Sequence, residues 1–147
     1  MIPSPAGNLR FGAAPLLARL LLVAEFLIAV NGKIFGWSSQ VAYMASHGMT
    51  MVQPLLGAAL VIEAAGSVCL ITGVRARTAA AVMCIYLGIV SVRLHDFWNQ
   101  RAGMSGMSAT EFFKNLGIMG GLLMIAVYGP GLWTLDRLWR PPAAGQR

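Results

Sequence analysis

Residues 54–73 read PLLGAALVIEAAGSVCLITG, and this stretch decides the fold. It carries one charged side chain, Glu63. A hydrocarbon core about 30 Å thick takes roughly 20 helical residues at 1.5 Å each, so the stretch can cross a bilayer. A helix on the surface of a soluble bundle would show a polar stripe at the helical period, and none is present.

Working outward, three more runs are long and apolar enough to span: about residues 15–36, 78–97 and 109–128. The 147 residues are 57% hydrophobic and only 11% charged, which departs from the balance of a soluble domain. The expectation is an all-α, integral membrane four-helix bundle forming a single domain over residues 1–147. The first run is expected to be a retained span and not a cleaved signal peptide, because it is long, carries Arg19 and Glu25, and lacks a small-residue exit site.

Helix punctuation supports this division. Pro15 and Pro54 suit the first turns of their helices, and Thr78 is placed to cap the third. Ser108-Ala-Thr-Glu111 fits a capping box for the fourth, and Gly129-Pro130 is a matching stop.

Charge sets the orientation. Arg10 precedes the first span, Arg75 and Arg77 fill the turn between the second and third, and Arg137, Arg140 and Arg147 follow the fourth. Arg101 is the only Lys or Arg in the two opposite loops, residues 37–53 and 98–108, so both termini and the tail at 130–147 are expected in the cytoplasm. This asymmetry, with attraction to anionic lipid, accounts for most of the net charge of +6. No basic run with interleaved aromatics calls for a nucleic acid.

Cys69 and Cys84 lack C-x-x-C spacing and read as packed small hydrophobes. His47 and His95 have no partner at metal-ligand spacing, so no metal is expected. Gly117 and Gly121 form a small-xxx-small face suited to a close helix contact.

What remains is a set of polar residues within or beside the spans, which face a bundle interior or a cavity because hydrocarbon excludes them. Counting 1.5 Å per residue puts Glu25 and Glu63 roughly 13 to 17 Å below the outer surface, at a level where the two carboxylates could meet. Nearer the outer surface lie Asn31, Lys33, Arg93, His95, Asp96, Asn99, Lys114 and Asn115, enough to build a polar vestibule. Cys84, Gly88, Ser91 and His95 share a stripe that ends at the histidine. Snorkelling explains Lys33, Arg93 and Lys114 one at a time, and Trp37, Phe97, Trp98, Phe112 and Phe113 read first as an aromatic belt. The candidate ligand-binding residues are Glu25, Asn31, Lys33, Glu63, Arg93, His95, Lys114 and Asn115; no catalytic residue is identified.

Several of these residues lie in a recurring pattern. Arg19, Glu25-Phe26 and Asn31-Gly-Lys33, then Tyr43-Met-Ala-Ser-His-Gly48, Glu63-Ala-Ala-Gly66, Leu94-His-Asp-Phe97 and Phe113-Lys-Asn-Leu-Gly-Ile-Met-Gly-Gly121, resemble the DoxX family of small four-helix bacterial membrane proteins. The likeness covers nearly the whole chain. It implies a multi-pass protein of the bacterial inner membrane and an association with redox chemistry, since the family takes its name from a subunit of a terminal quinol oxidase system and includes relatives of a thiosulfate:quinone oxidoreductase subunit. Three functions follow as expectations. The first is an accessory subunit of a quinone-linked oxidoreductase, holding a quinone head group or small oxyanion in the vestibule, with no covalent cofactor and no activity beyond that of the complex. The second is a non-enzymatic receptor, chaperone or assembly factor that binds a lipid or a partner helix. The third is a proton-coupled transporter built on Glu25 and Glu63. The partners implied are the lipid bilayer, an oxidoreductase subunit and, in some arrangements, a second copy of the chain.

Overall fold

The computed structural model describes residues 9–99 and 105–136. Arg101, Arg137, Arg140, Arg147 and most of the tail lie outside the described residues. A π-turn, Leu9–Ala13, leads into α1 (Ala14–Phe35), followed by α2 (Trp37–Ser46), α3 (Val52–Thr72), α4 (Ala76–Leu94) and α5 (Ser105–Tyr128). Among the described residues every element is helical. Four helices are long and apolar enough to cross a membrane, over Phe11–Phe35, Val52–Thr72, Ala76–Leu94 and Gly106–Tyr128. The all-α four-span architecture is therefore the one expected.

Its details differ in four places. Residues 37–46, expected as loop, form α2, because Trp37, Val41 and Met44 recur at helical spacing and Met44 is buried. Ten residues are too few to span. The α4 helix ends at Leu94, with His95 at its C-cap, so Phe97 is free to leave the helix axis. It packs with Trp98, Phe112 and Phe113 at ring-centroid distances of 5.1 to 5.9 Å. Helix α5 is already running at Ser105, so Ser108 is not an N-cap; nothing in residues 105–107 forbids helical backbone, and Thr110 bonds back to Gly106 O at 3.0 Å. Thr78 likewise lies inside α4, whose N-cap is Arg75 in a left-handed conformation.

Helix α1 packs on α3, α3 on α4, and α4 on α5, whereas α5 meets α1 only sparsely. Val23, Phe26, Leu70, Met83, Leu87 and Leu122 form the centre of the core. Gly66 admits the Met83 side chain, since a Cβ there would collide with its sulfur. The expected α4 stripe is the α4–α5 seam: Cys84 Sγ points to Met119 O at 3.8 Å, a Cβ on Gly88 would touch Met119, and Asn115 Nδ2 donates to Ser91 Oγ at 3.0 Å.

The face that holds both described chain ends, here the terminal face, is tied by arginines. Arg19 is fully buried and donates to Leu70 O at 2.8 Å, to Ile71 O at 3.4 Å and to Trp133 O. Arg77 Nη2 donates to Tyr128 O at 3.3 Å. Each guanidinium thus satisfies carbonyls that a helix end leaves without intrahelical donors, where the helix dipole also favours a cation. Arg75 N–H donates to Asp136 Oδ2 at 3.2 Å, closing the same face.

Candidate functional site

Two ionic clusters sit within the spans. The first is buried. Glu63 and Tyr86 lie close to the midpoints of α3 and α4, and the tyrosine hydroxyl donates to Glu63 Oε1 at 2.6 Å. Lys33 Nζ donates to both carboxylate oxygens at 2.8 Å. The Glu63 side chain is 4% exposed. Three charge-assisted bonds on one carboxylate offset the cost of removing it from water.

That contact also defines a step in the bundle. Glu63 lies about 16 Å of helical rise from the start of α3, whereas Lys33 is two residues from the end of α1. Helix α3 therefore projects beyond α1 at this end, and α2 fills the step. The Tyr43 hydroxyl of α2 donates to Leu94 O, the last carbonyl of α4, at 3.0 Å.

The second cluster is open. Lys114 of α5 pairs with Glu25 of α1 at 2.7 Å and with Glu111, one turn away, at 2.6 Å. The Lys114 and Glu25 side chains are 38% and 40% exposed. Both residues line a cavity of about 710 Å³ between α1 and α5, which continues through Leu21, Leu22, Ile118 and Gly121 to Pro15 and Tyr128 near the terminal face. This groove exists because α1 and α5 are each braced elsewhere, on α3 and α4.

Above the open cluster, on the α2 side, the charge of Glu111 reaches Tyr43 and His95, and that of Asp96 reaches Tyr43. Burial, with those two carboxylates adding, pushes the Tyr43 phenol above its ordinary value. Burial also lowers the His95 imidazole below 6.5; Glu111 opposes this, and Lys114 and His47 reinforce it. Tyr43 and His47 rings stand 4.5 Å apart.

The candidate residues are thus divided. Lys33 joins Glu63, Lys114 joins Glu25, and His95 lies within reach of the Lys114 charge. Glu25 and Glu63 do not form the pair expected of them, because each faces a different neighbouring helix and has its own lysine. Asn115 is buried in the α4–α5 seam, and Asn31 and Arg93 are exposed. The expected small-residue face is half realised: a Cβ on Gly121 would press on Leu22, while Gly117 faces open space. Sequence reasoning missed Tyr86 and the bracing role of Arg19. A tyrosine at mid-span, whose hydroxyl needs a partner in hydrocarbon, was the available signal for the first.

Comparison with known proteins gives the lineage of this arrangement. The DoxX family model matches residues 14–96, which takes in α1 to α4. The chain is 35% identical to the inner membrane protein YphA of Escherichia coli K12, covering 86% of this chain and 94% of that one. It is 31% identical to the inner membrane protein YqjF of the same organism, over 84% and 89%. A more distant similarity, 26% identity over 52% of this chain and 25% of the other, links it to the ER-derived vesicles protein ERV29 of Saccharomyces cerevisiae. No solved structure matches the chain. With four helices able to span, and matches to YphA and YqjF over most of its length, the chain belongs to the DoxX family and is a multi-pass protein of the bacterial inner membrane.

Proposed function

We propose that the protein is an accessory membrane subunit of a quinone-linked oxidoreductase system, and that the open cluster between α1 and α5 receives the quinone head group. One observation carries this reading: an ion-paired lysine and glutamate, each more than a third exposed, lie within the spans at the polar end of an apolar groove. Charged groups facing hydrocarbon are costly, so a polar occupant there is favoured. An ammonium has three donors, and Lys114 directs two at Glu25 and Glu111, leaving one direction for a quinone carbonyl. The carboxylates can accept from the hydroxyls of the reduced form. Two carboxylates around one ammonium repel an anion, so a neutral head group is favoured over the small oxyanion. The oxidoreductase partner and both termini in the cytoplasm are part of the same proposal.

A second reading has its own support. The sparse α1–α5 contact suits a receptor or assembly factor that accepts a partner helix in the groove. A transporter centred on a Glu25 and Glu63 pair loses its motive, since the two acids belong to separate clusters.

Mass spectrometry of the gently solubilised complex tests the proposal. The expected result is retained quinone together with a flavin- or haem-bearing partner, with the quinone lost in Lys114→Gln and kept in the control Thr78→Ala. A protein partner without quinone, equal in both variants, would favour the second reading. Single cysteines at Ser39 and Ala76 test orientation: a periplasmic thiol label should reach the first and not the second.

A further inference from the structure

The head-group reading uses only one end of the groove. From Glu25 the lining continues along α1 to Pro15, and from Lys114 along α5 to Tyr128, a path of about 15 to 20 Å of helical rise. Between these ends the walls are mainly apolar, with Ala18, Leu21 and Leu22 on one side and Ile118, Gly121 and Met124 on the other; Arg19 also lines the α1 wall, with its guanidinium turned to Leu70 O and Trp133 O. The far end meets Gly129-Pro130. Leu21, Met124 and Tyr128 are strongly exposed, so the groove opens sideways toward lipid.

Such walls would approach each other if nothing else positioned them, since apolar helices in a membrane gain from close packing. They are held apart by bracing that reaches away from the groove. Arg19 fixes α1 to the end of α3 and to Trp133, Arg77 fixes the end of α5 to the start of α4, and the Ser91–Asn115 bond fixes α5 to the last turn of α4. A permanent slot remains, polar at one end and apolar along its length.

The geometry points to a prenyl-chain site: the slot holds the isoprenoid tail of the quinone whose head group meets Glu25 and Lys114, with the tail running toward Pro15 and Tyr128. This inference rests on the head-group reading. The polar end decides against a phospholipid. Its position near the midpoint of α1 would draw a phosphate out of the interface and set it against the Glu25 and Glu111 carboxylates. A neutral head group with a single chain meets neither cost.

The test uses the full-length protein in lipid nanodiscs and a benzoquinone bearing a photoreactive group at the end of a long prenyl chain. Label is expected on peptides covering residues 15–22 and 121–130, and a short-chain benzoquinone with the same head group should displace it. Ala18→Phe and Ile118→Trp, one from each wall, should lower long-chain affinity by about ten-fold, as crowding a filled cavity does, and leave short-chain affinity within about two-fold. Label spread over all the lipid-facing helices, still displaced by the short-chain compound, would overturn the tail site and leave the head-group reading standing. Label confined to the groove but not displaced by the short-chain compound would overturn the head-group reading instead. Equal losses of both compounds in the two wall variants would also overturn the tail site.

Discussion

Glu63 and Glu25 are both carboxylates near mid-span with a lysine from another helix, yet they sit in opposite kinds of place. Glu63 is enclosed by three helices, accepts from Lys33 and Tyr86, and is almost fully buried. Glu25 stands at the sparse α1–α5 contact and shares its lysine with Glu111. A closed ionic cluster fixes geometry, because no ligand reaches it and removing one member leaves a buried charge. An open one with a redundant partner can exchange contacts with a ligand at little structural cost. The difference lies in the surroundings of the two acids, not in their chemistry.

The largest expected effect breaks the closed cluster. Lys33→Met should cost about 3 to 5 kcal/mol, because Glu63 is then buried with Tyr86 alone. Thermal unfolding in detergent measures this, and adding Glu63→Gln should recover most of the loss. A loss no greater than that of Glu25→Gln would erase the distinction. Next, Ser91→Ala removes the acceptor of the buried Asn115 amide and should cost about 1 to 3 kcal/mol, with quinone retention unchanged. Glu25→Gln comes third. Glu111 still holds Lys114, and half-exposed ion pairs are worth little, so the change in stability should stay under about 1 kcal/mol while quinone retention falls.

The smallest effect is the pH response of His95. Its folded value lies below 6.5, so the unfolded chain binds the proton more readily. Its contribution to stability is fully present above about pH 6.5, is lost as pH falls from there toward the folded value, and is constant below it. The unfolding temperature should therefore drop slightly between about pH 7.5 and pH 5.5, and His95→Asn should flatten that part of the curve. A rise in unfolding temperature over the same interval would contradict the burial of His95.

The four spans were legible because hydrocarbon thickness imposes a length and an apolar composition that residues 54–73 meet almost without exception. Glu25, Lys33, Glu63 and Lys114 were legible too, since a charged group inside a span stands out, whereas Tyr86 was passed over. Their pairing was not. Assigning depth at 1.5 Å per residue assumes that spans end level, and the step between α1 and α3 that brings Lys33 to Glu63 violates this. Rotation was equally hidden. With apolar residues on every face of α3 and α5, the sequence does not say which way Glu63 or Asn115 points, and so Asn115 was assigned to the vestibule although it bonds Ser91 in a seam. Helix α2 was passed over because its ten residues are too short to span and are bounded by glycines at 36 and 48.

Equilibrium binding of a short-chain benzoquinone in nanodiscs tests most directly the claim that the open cluster binds while the closed one only holds the fold. The proteins to compare are the wild type, Lys114→Gln and the Lys33→Met/Glu63→Gln double variant, each checked for cooperative unfolding. Lys114→Gln should bind about five-fold or more weakly, through loss of one charge-assisted donor, and the double variant should bind within about two-fold of wild type. Wild-type affinity in Lys114→Gln, or an equal loss in a folded double variant, would contradict the account.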